Sequence, residues 1–90
     1  KLKMNDAQRE RLNAIQRENL TSLRVTAQLT QTQLSRKLGR PQSYVSKYEA
    51  GERKLTLIEV REIVLLCGAN LSEFVETLEH EITLTMPEQF

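Results

Sequence analysis

The stretch LTQTQLSRKLGRPQSYVSKYEAG, residues 29–51, decides the fold. Thr30 followed three residues later by Gln33 is a capping box, in which each side chain accepts the other residue's backbone N–H at the start of a helix. Leu29 before the cap and Leu34 after it form a hydrophobic staple that fixes the entry angle. Gly39 takes the left-handed conformation cheaply and ends that helix, and Pro41 suits the first turn of the next, where its missing N–H costs nothing. Gly51 closes the second helix after Ala50. Two short helices, 30–38 and 41–50, are therefore joined by a turn too tight to let them lie antiparallel, so they cross steeply. Leu34 and Leu38 face Val45 and Tyr48 across the crossing, with the small Ser35 at the closest approach. The outward side of the second helix keeps Gln42, Ser43, Ser46 and Lys47, polar residues with no acid among them.

Working outward, the same punctuation recurs. Asn5 with Gln8 opens a first helix, 5–27, with Leu12, Ile15, Leu20, Leu23 and Ala27 at helical intervals. Thr56 with Glu59 opens a fourth, 56–67, through Ile63, Val64 and Cys67 to Gly68. Asn70 with Glu73 opens a fifth, 70–82, with Phe74, Val75, Leu78 and Ile82 on its apolar side. Five helices on one core make residues 1–90 a single all-α domain, because a chain of this length buries too little surface for two cores. In the tail, 83–90, Ile82, Leu84 and Met86 alternate with Thr83 and Thr85, a pattern that fits a short strand or a loose end.

Charge is unevenly distributed. Residues 1–54 hold twelve Lys or Arg against five acids, net +7, whereas residues 55–90 hold Arg61 against seven Glu, net −6. A basic half suits a polyanion, and an acidic half discourages docking the wrong way round. No apolar run approaches the roughly 20 residues of a membrane span. The start, Lys1 to Glu10, has no apolar signal core, and one cysteine cannot close an internal disulfide, so a cytoplasmic setting is expected. His80, the sole histidine, sits between Glu79 and Glu81 without a second nitrogen or sulfur ligand for zinc, and no triad or glycine-rich phosphate loop can be assembled. No metal, cofactor, small-molecule ligand or enzymatic activity is expected.

The run 29–39 and the following YVSKYEAGER, residues 44–53, resemble the phage repressor and Cro-like helix-turn-helix family, also called the xenobiotic response element family; the resemblance extends from about Leu20 to Leu78. It implies a five-helix DNA-binding domain whose third helix enters the major groove of double-stranded DNA while the second crosses the backbone. Carried over by position, it makes Gln42 the leading base reader, with Ser43, Tyr44, Ser46 and Lys47 as companions. A glutamine can take adenine through N6 and N7. Gln31 matches the family's phosphate-contacting glutamine, and Arg24, Arg36, Lys37, Arg40, Arg53 and Lys54 supply cations for the backbone. Arg24 and Glu49 match a pair that ties helix one to the end of helix three. The sequence departs from the family where Ser35 replaces a common alanine and where Pro41 replaces the polar cap of helix three.

The resemblance implies a bacterial or phage transcriptional regulator, a repressor that binds a palindromic operator as a homodimer. Leu78, Ile82, Leu84, Met86 and Phe90 are the candidate dimer contacts. An antitoxin and a restriction-modification controller share the module, and the residues do not separate them; a protein-binding adaptor that has lost DNA is a further alternative, against which the near absence of acid on helix three favours DNA.

Overall fold

The computed structural model describes residues 3–87, which form five helices: α1 Asp6–Thr26, α2 Gln31–Lys37, α3 Tyr44–Glu49, α4 Leu57–Leu66 and α5 Leu71–Thr85. No strand occurs among the described residues. α1 spans the molecule and touches α3, α4 and α5, while α2 packs on α3. The core joins Leu20 of α1, Leu34 of α2, Val45 and Tyr48 of α3, Ile63 and Val64 of α4 and Phe74 of α5. Fully burying side chains of this kind contributes about 1.5–3 kcal/mol each, so the short α2 and α3 are held by tertiary packing more than by their own helix propensity.

Asn5, Thr30 and Thr56 each form the complete reciprocal box. At α5 only one half is made: the Asn70 side chain accepts the Glu73 N–H, at 2.9 Å, and the return bond is absent. Between α1 and α2 the chain turns at Gln28, a non-glycine residue with φ of 61°. Nothing in the residue type announces that stop.

Two sequence expectations are corrected. α3 starts at Tyr44, not at residue 41, because the Tyr44 N–H donates to the Pro41 carbonyl at 2.9 Å and closes residues 41–43 into a turn. The period-two pattern in the tail is not a strand, since α5 runs on to Thr85. Phe74, Leu78, Ile82 and Met86 recur every four residues, one stripe of a helix. Phe74, Ile82 and Met86 are buried, Leu78 packs on the core, and Leu84 is turned to solvent. Of the candidate dimer contacts, Ile82 and Met86 are buried within the chain, Leu78 is half-buried and Leu84 is exposed. Phe90 lies outside the described residues.

Candidate nucleic-acid interface

Ser35 solves the two departures noted in the sequence at once. It is fully buried, and the backbone N–H of Val45 donates to its Oγ at 3.1 Å. Ser43, the residue at the N-cap of α3, makes no side-chain capping bond. The hydroxyl on α2 thus satisfies an early N–H of α3 that a local cap would normally take, and it fixes the spacing of the two helices.

The other end of α3 is pinned by Glu49. Arg24 Nε donates to Glu49 Oε2 at 2.8 Å and Nη2 to Oε1 at 3.2 Å, while Nη1 donates to the Leu29 carbonyl at 2.8 Å. Gln31 Nε2 donates to the same Glu49 Oε1, also at 2.8 Å. One carboxylate therefore ties α1, α2 and α3 together. The hydrogen bond to Glu49 holds the Arg24 pKa above its ordinary value, outweighing the opposing effect of burial. A carboxylate at a helix C-terminus opposes the macrodipole, and the bidentate arginine offsets that.

With α3 fixed at both ends, the edge it presents is defined. Gln42, Ser43 and Lys47 are exposed, Ser46 is half-buried, and Ser46 Oγ donates to the Ser43 carbonyl at 2.9 Å. Gln31, Thr32, Gln42, Ser43 and Ser46 line one shallow concavity where the starts of α2 and α3 meet. A second, beside it, is lined by Thr32, Arg36, Arg40 and Gln42. Thr32 was not singled out by the sequence. Only the crossing geometry brings it beside Gln42. The single acid of α3, Glu49, faces inward to Arg24, so the edge carries hydrogen-bonding groups and positive charge without a competing carboxylate.

Tyr44 is corrected as a base contact. It is 6% exposed, its ring meets Tyr48 edge-on with centroids 5.6 Å apart, and the guanidinium carbons of Arg40 and Arg53 lie 5.1 and 5.0 Å from its centroid. Both arginines also reach Glu59, Arg53 at 2.6 Å and Arg40 at 3.5 Å. Glu59 is doubly used. Its Oε1 accepts the Thr56 N–H and its Oε2 gathers the two arginines, and these bonds, the Thr56 N–H foremost, lower its pKa. As the third residue of a capping box Glu59 has an obvious local role, and its distant partners were not legible. Arg36, Lys37, Lys47 and Lys54 are exposed and make no ion pair among the described residues.

Two short crossed helices, the second locked at both ends and showing an acid-poor polar edge ringed by cations, define a helix-turn-helix module. A helix-turn-helix family model matches residues 20–74, more than half of the chain, and the protein belongs to that family of DNA-binding regulators. Comparison with curated proteins and with solved structures gives no match. The family match leaves out the first two thirds of α1 and all of α5 beyond Phe74. No helix among the described residues is long and apolar enough to cross a membrane, and none of their side chains cluster as metal ligands.

Proposed function

We propose that the protein is a transcriptional repressor that binds a palindromic operator as a homodimer, each subunit placing α3 in the major groove. The observation that carries this reading is the concavity of Gln31, Thr32, Gln42, Ser43 and Ser46, exposed at the start of α3 and free of acid. Gln42, carried on the turn, reads a base edge, with Ser43, Ser46 and Lys47 beside it. Lys47, Arg36, Lys37 and Lys54 neutralise phosphates, as do the solvent-facing parts of Arg40 and Arg53. Arg24 and Gln31 each retain an N–H that Glu49 does not use, and these face the backbone strand that α2 crosses. A single module buries too little on one half-site for strong specificity, so two subunits engage half-sites about 34 Å apart.

Selection of bound sites from a random DNA pool tests this reading. Recovery of a two-fold symmetric sequence, with half-sites one helical turn apart, supports it. Failure to enrich any sequence at moderate salt overturns it.

A further inference from the structure

A groove of about 300 Å³ runs between α1 and α5, which is where the size range of small-molecule sites begins. Its floor is apolar: Phe74 is buried in the core, and Leu23 and Ala69 pack against that core. Its rim is anionic. Glu73 and Glu81 both line it, neither makes an ion pair among the described residues, and no Lys, Arg or His lines it. The two carboxylates differ in how they are held. With its amide nitrogen turned to the carboxylate, Asn19 of α1 donates to Glu81 Oε1 at 3.0 Å and Oε2 at 3.2 Å, which fixes Glu81 at one end of the groove. Glu73 leaves the return bond of its capping box unmade, unlike Gln8, Gln33 and Glu59, so its carboxylate stays available at the other end.

The spacing along α5 says what fits. Glu73, Thr77 and Glu81 follow one another every four residues on one helix face, and eight residues of helix place the two acids about 12 Å apart along the axis. A ligand that meets both carries a cation at each end, an aliphatic chain between them to lie on Leu23 and Phe74, and a central group that the hydroxyls of Thr77 and Ser22 can accept from. We propose that this groove binds a linear aliphatic polyamine, its terminal ammoniums on Glu73 and Glu81. A metal cation matches the charge but leaves the apolar floor wet, and a monoamine satisfies only one carboxylate, which leaves the other anion without a partner. The sequence does not announce such a site, because α1 and α5 bring its walls together from opposite ends of the chain.

Isothermal titration calorimetry of the full chain with spermidine, whose extended length is similar to the span of the two acids, tests the site. The wild type takes up one spermidine, at least tenfold more tightly than hexylamine, and keeps it in excess magnesium. Glu73→Gln and Glu81→Gln each weaken binding at least fivefold. Glu76→Gln removes the same charge from an exposed position of α5 that does not line the groove, and it leaves binding unchanged. Ser22→Phe fills the groove without altering charge and abolishes binding. Circular dichroism with an unshifted melting curve shows that each variant is folded; if Ser22→Phe melts early, the glutamine variants decide alone. Displacement of spermidine by magnesium, hexylamine binding as tightly as spermidine, or equal losses in Glu76→Gln and Glu73→Gln overturn the site, since each reduces it to general attraction by the acidic half. Absence of any spermidine binding overturns it as well. No measurement in the series involves DNA, so its failure leaves the operator reading untouched.

Discussion

Arg24 and Glu49 form a bidentate ion pair across 25 residues of sequence, with side chains 14% and 8% exposed. Truncating one partner leaves a nearly buried carboxylate with only the Gln31 amide for company. We expect Arg24→Ala to lower stability by about 2–3 kcal/mol, toward the range of roughly 3–5 kcal/mol for breaking a fully buried pair. The double variant Arg24→Met with Glu49→Leu should recover a large part of that loss, because it removes the charge together with its partner. Urea unfolding of the two variants measures both values. A double variant no more stable than the single one would mean that packing, and not the stranded charge, sets the cost.

Ser35→Ala tests the borrowed cap. The substitution fits sterically, since it only deletes Oγ, but it strands the Val45 N–H at a buried position. The expected loss is about 1–2 kcal/mol, the desolvation cost of one orphaned donor, or a fall in melting temperature of several degrees for a domain of this size. An unchanged melting temperature would show that the hydroxyl is dispensable and that α3 finds another cap.

These two contacts also show why the sequence was legible in some places and opaque in others. Helix starts were readable at Asn5, Thr30 and Thr56 because a capping box is local: both partners lie three residues apart. The Ser35 to Val45 bond crosses a turn, so each residue looked like a defect by itself. Tyr44 was misplaced because its position relative to the family motif is outward, while its ring is turned under Arg40 and Arg53 into the core. The tail misled because Ile82, Leu84 and Met86 satisfy a period of two, and only packing against α1 selects the period of four that ends on Met86. Gln28 could not be foreseen, since a left-handed turn is favoured by glycine or asparagine, not glutamine.

Tyr48 carries the opposite imbalance to Ser35. Its ring is fully buried and its hydroxyl has no hydrogen-bond partner among the described residues, and burial, the largest influence, raises its pKa far above the ordinary value. Tyr48→Phe keeps the edge-on contact with Tyr44 and deletes the unpaired group. The variant should be as stable as the wild type or more so, by up to about 1 kcal/mol. Thermal unfolding followed by circular dichroism measures it. A loss above about 1 kcal/mol would reveal a hydrogen bond made by that hydroxyl in solution.

Glu59 predicts a pH dependence. Its pKa is held below the ordinary value of 4.5, first by the Thr56 N–H and then by Arg53. In acid the unfolded chain binds this proton more readily than the native state does, so stability rises with pH through that window. The contribution is complete above the unfolded value and is lost as pH falls from about 4.5 through the lower native value. Glu59→Gln should therefore flatten the fall of the urea midpoint between about pH 5 and pH 3, with little change in slope at neutral pH. An identical acid profile in the variant would place the acid sensitivity in other carboxylates.

Gln42 and Lys47 should separate sequence reading from attraction to the backbone. Both are exposed on the same edge, but Gln42 belongs to the concavity with Thr32 and Ser46, whereas Lys47 is a cation with no ion-pair partner among the described residues. Gln42→Ala removes a bidentate donor and acceptor and should cost about 1–3 kcal/mol at one base pair of the selected site while leaving affinity for unrelated DNA unchanged. Lys47→Ala should weaken binding to all sequences alike and reduce the slope of log K against log salt by about 1. Titrations of both variants against the selected site, a single-base substitution of it and random DNA, each at three salt concentrations, resolve the two effects. Uniform losses on every sequence for Gln42→Ala would strip that residue of its reading role and move specificity to Ser43 or Ser46.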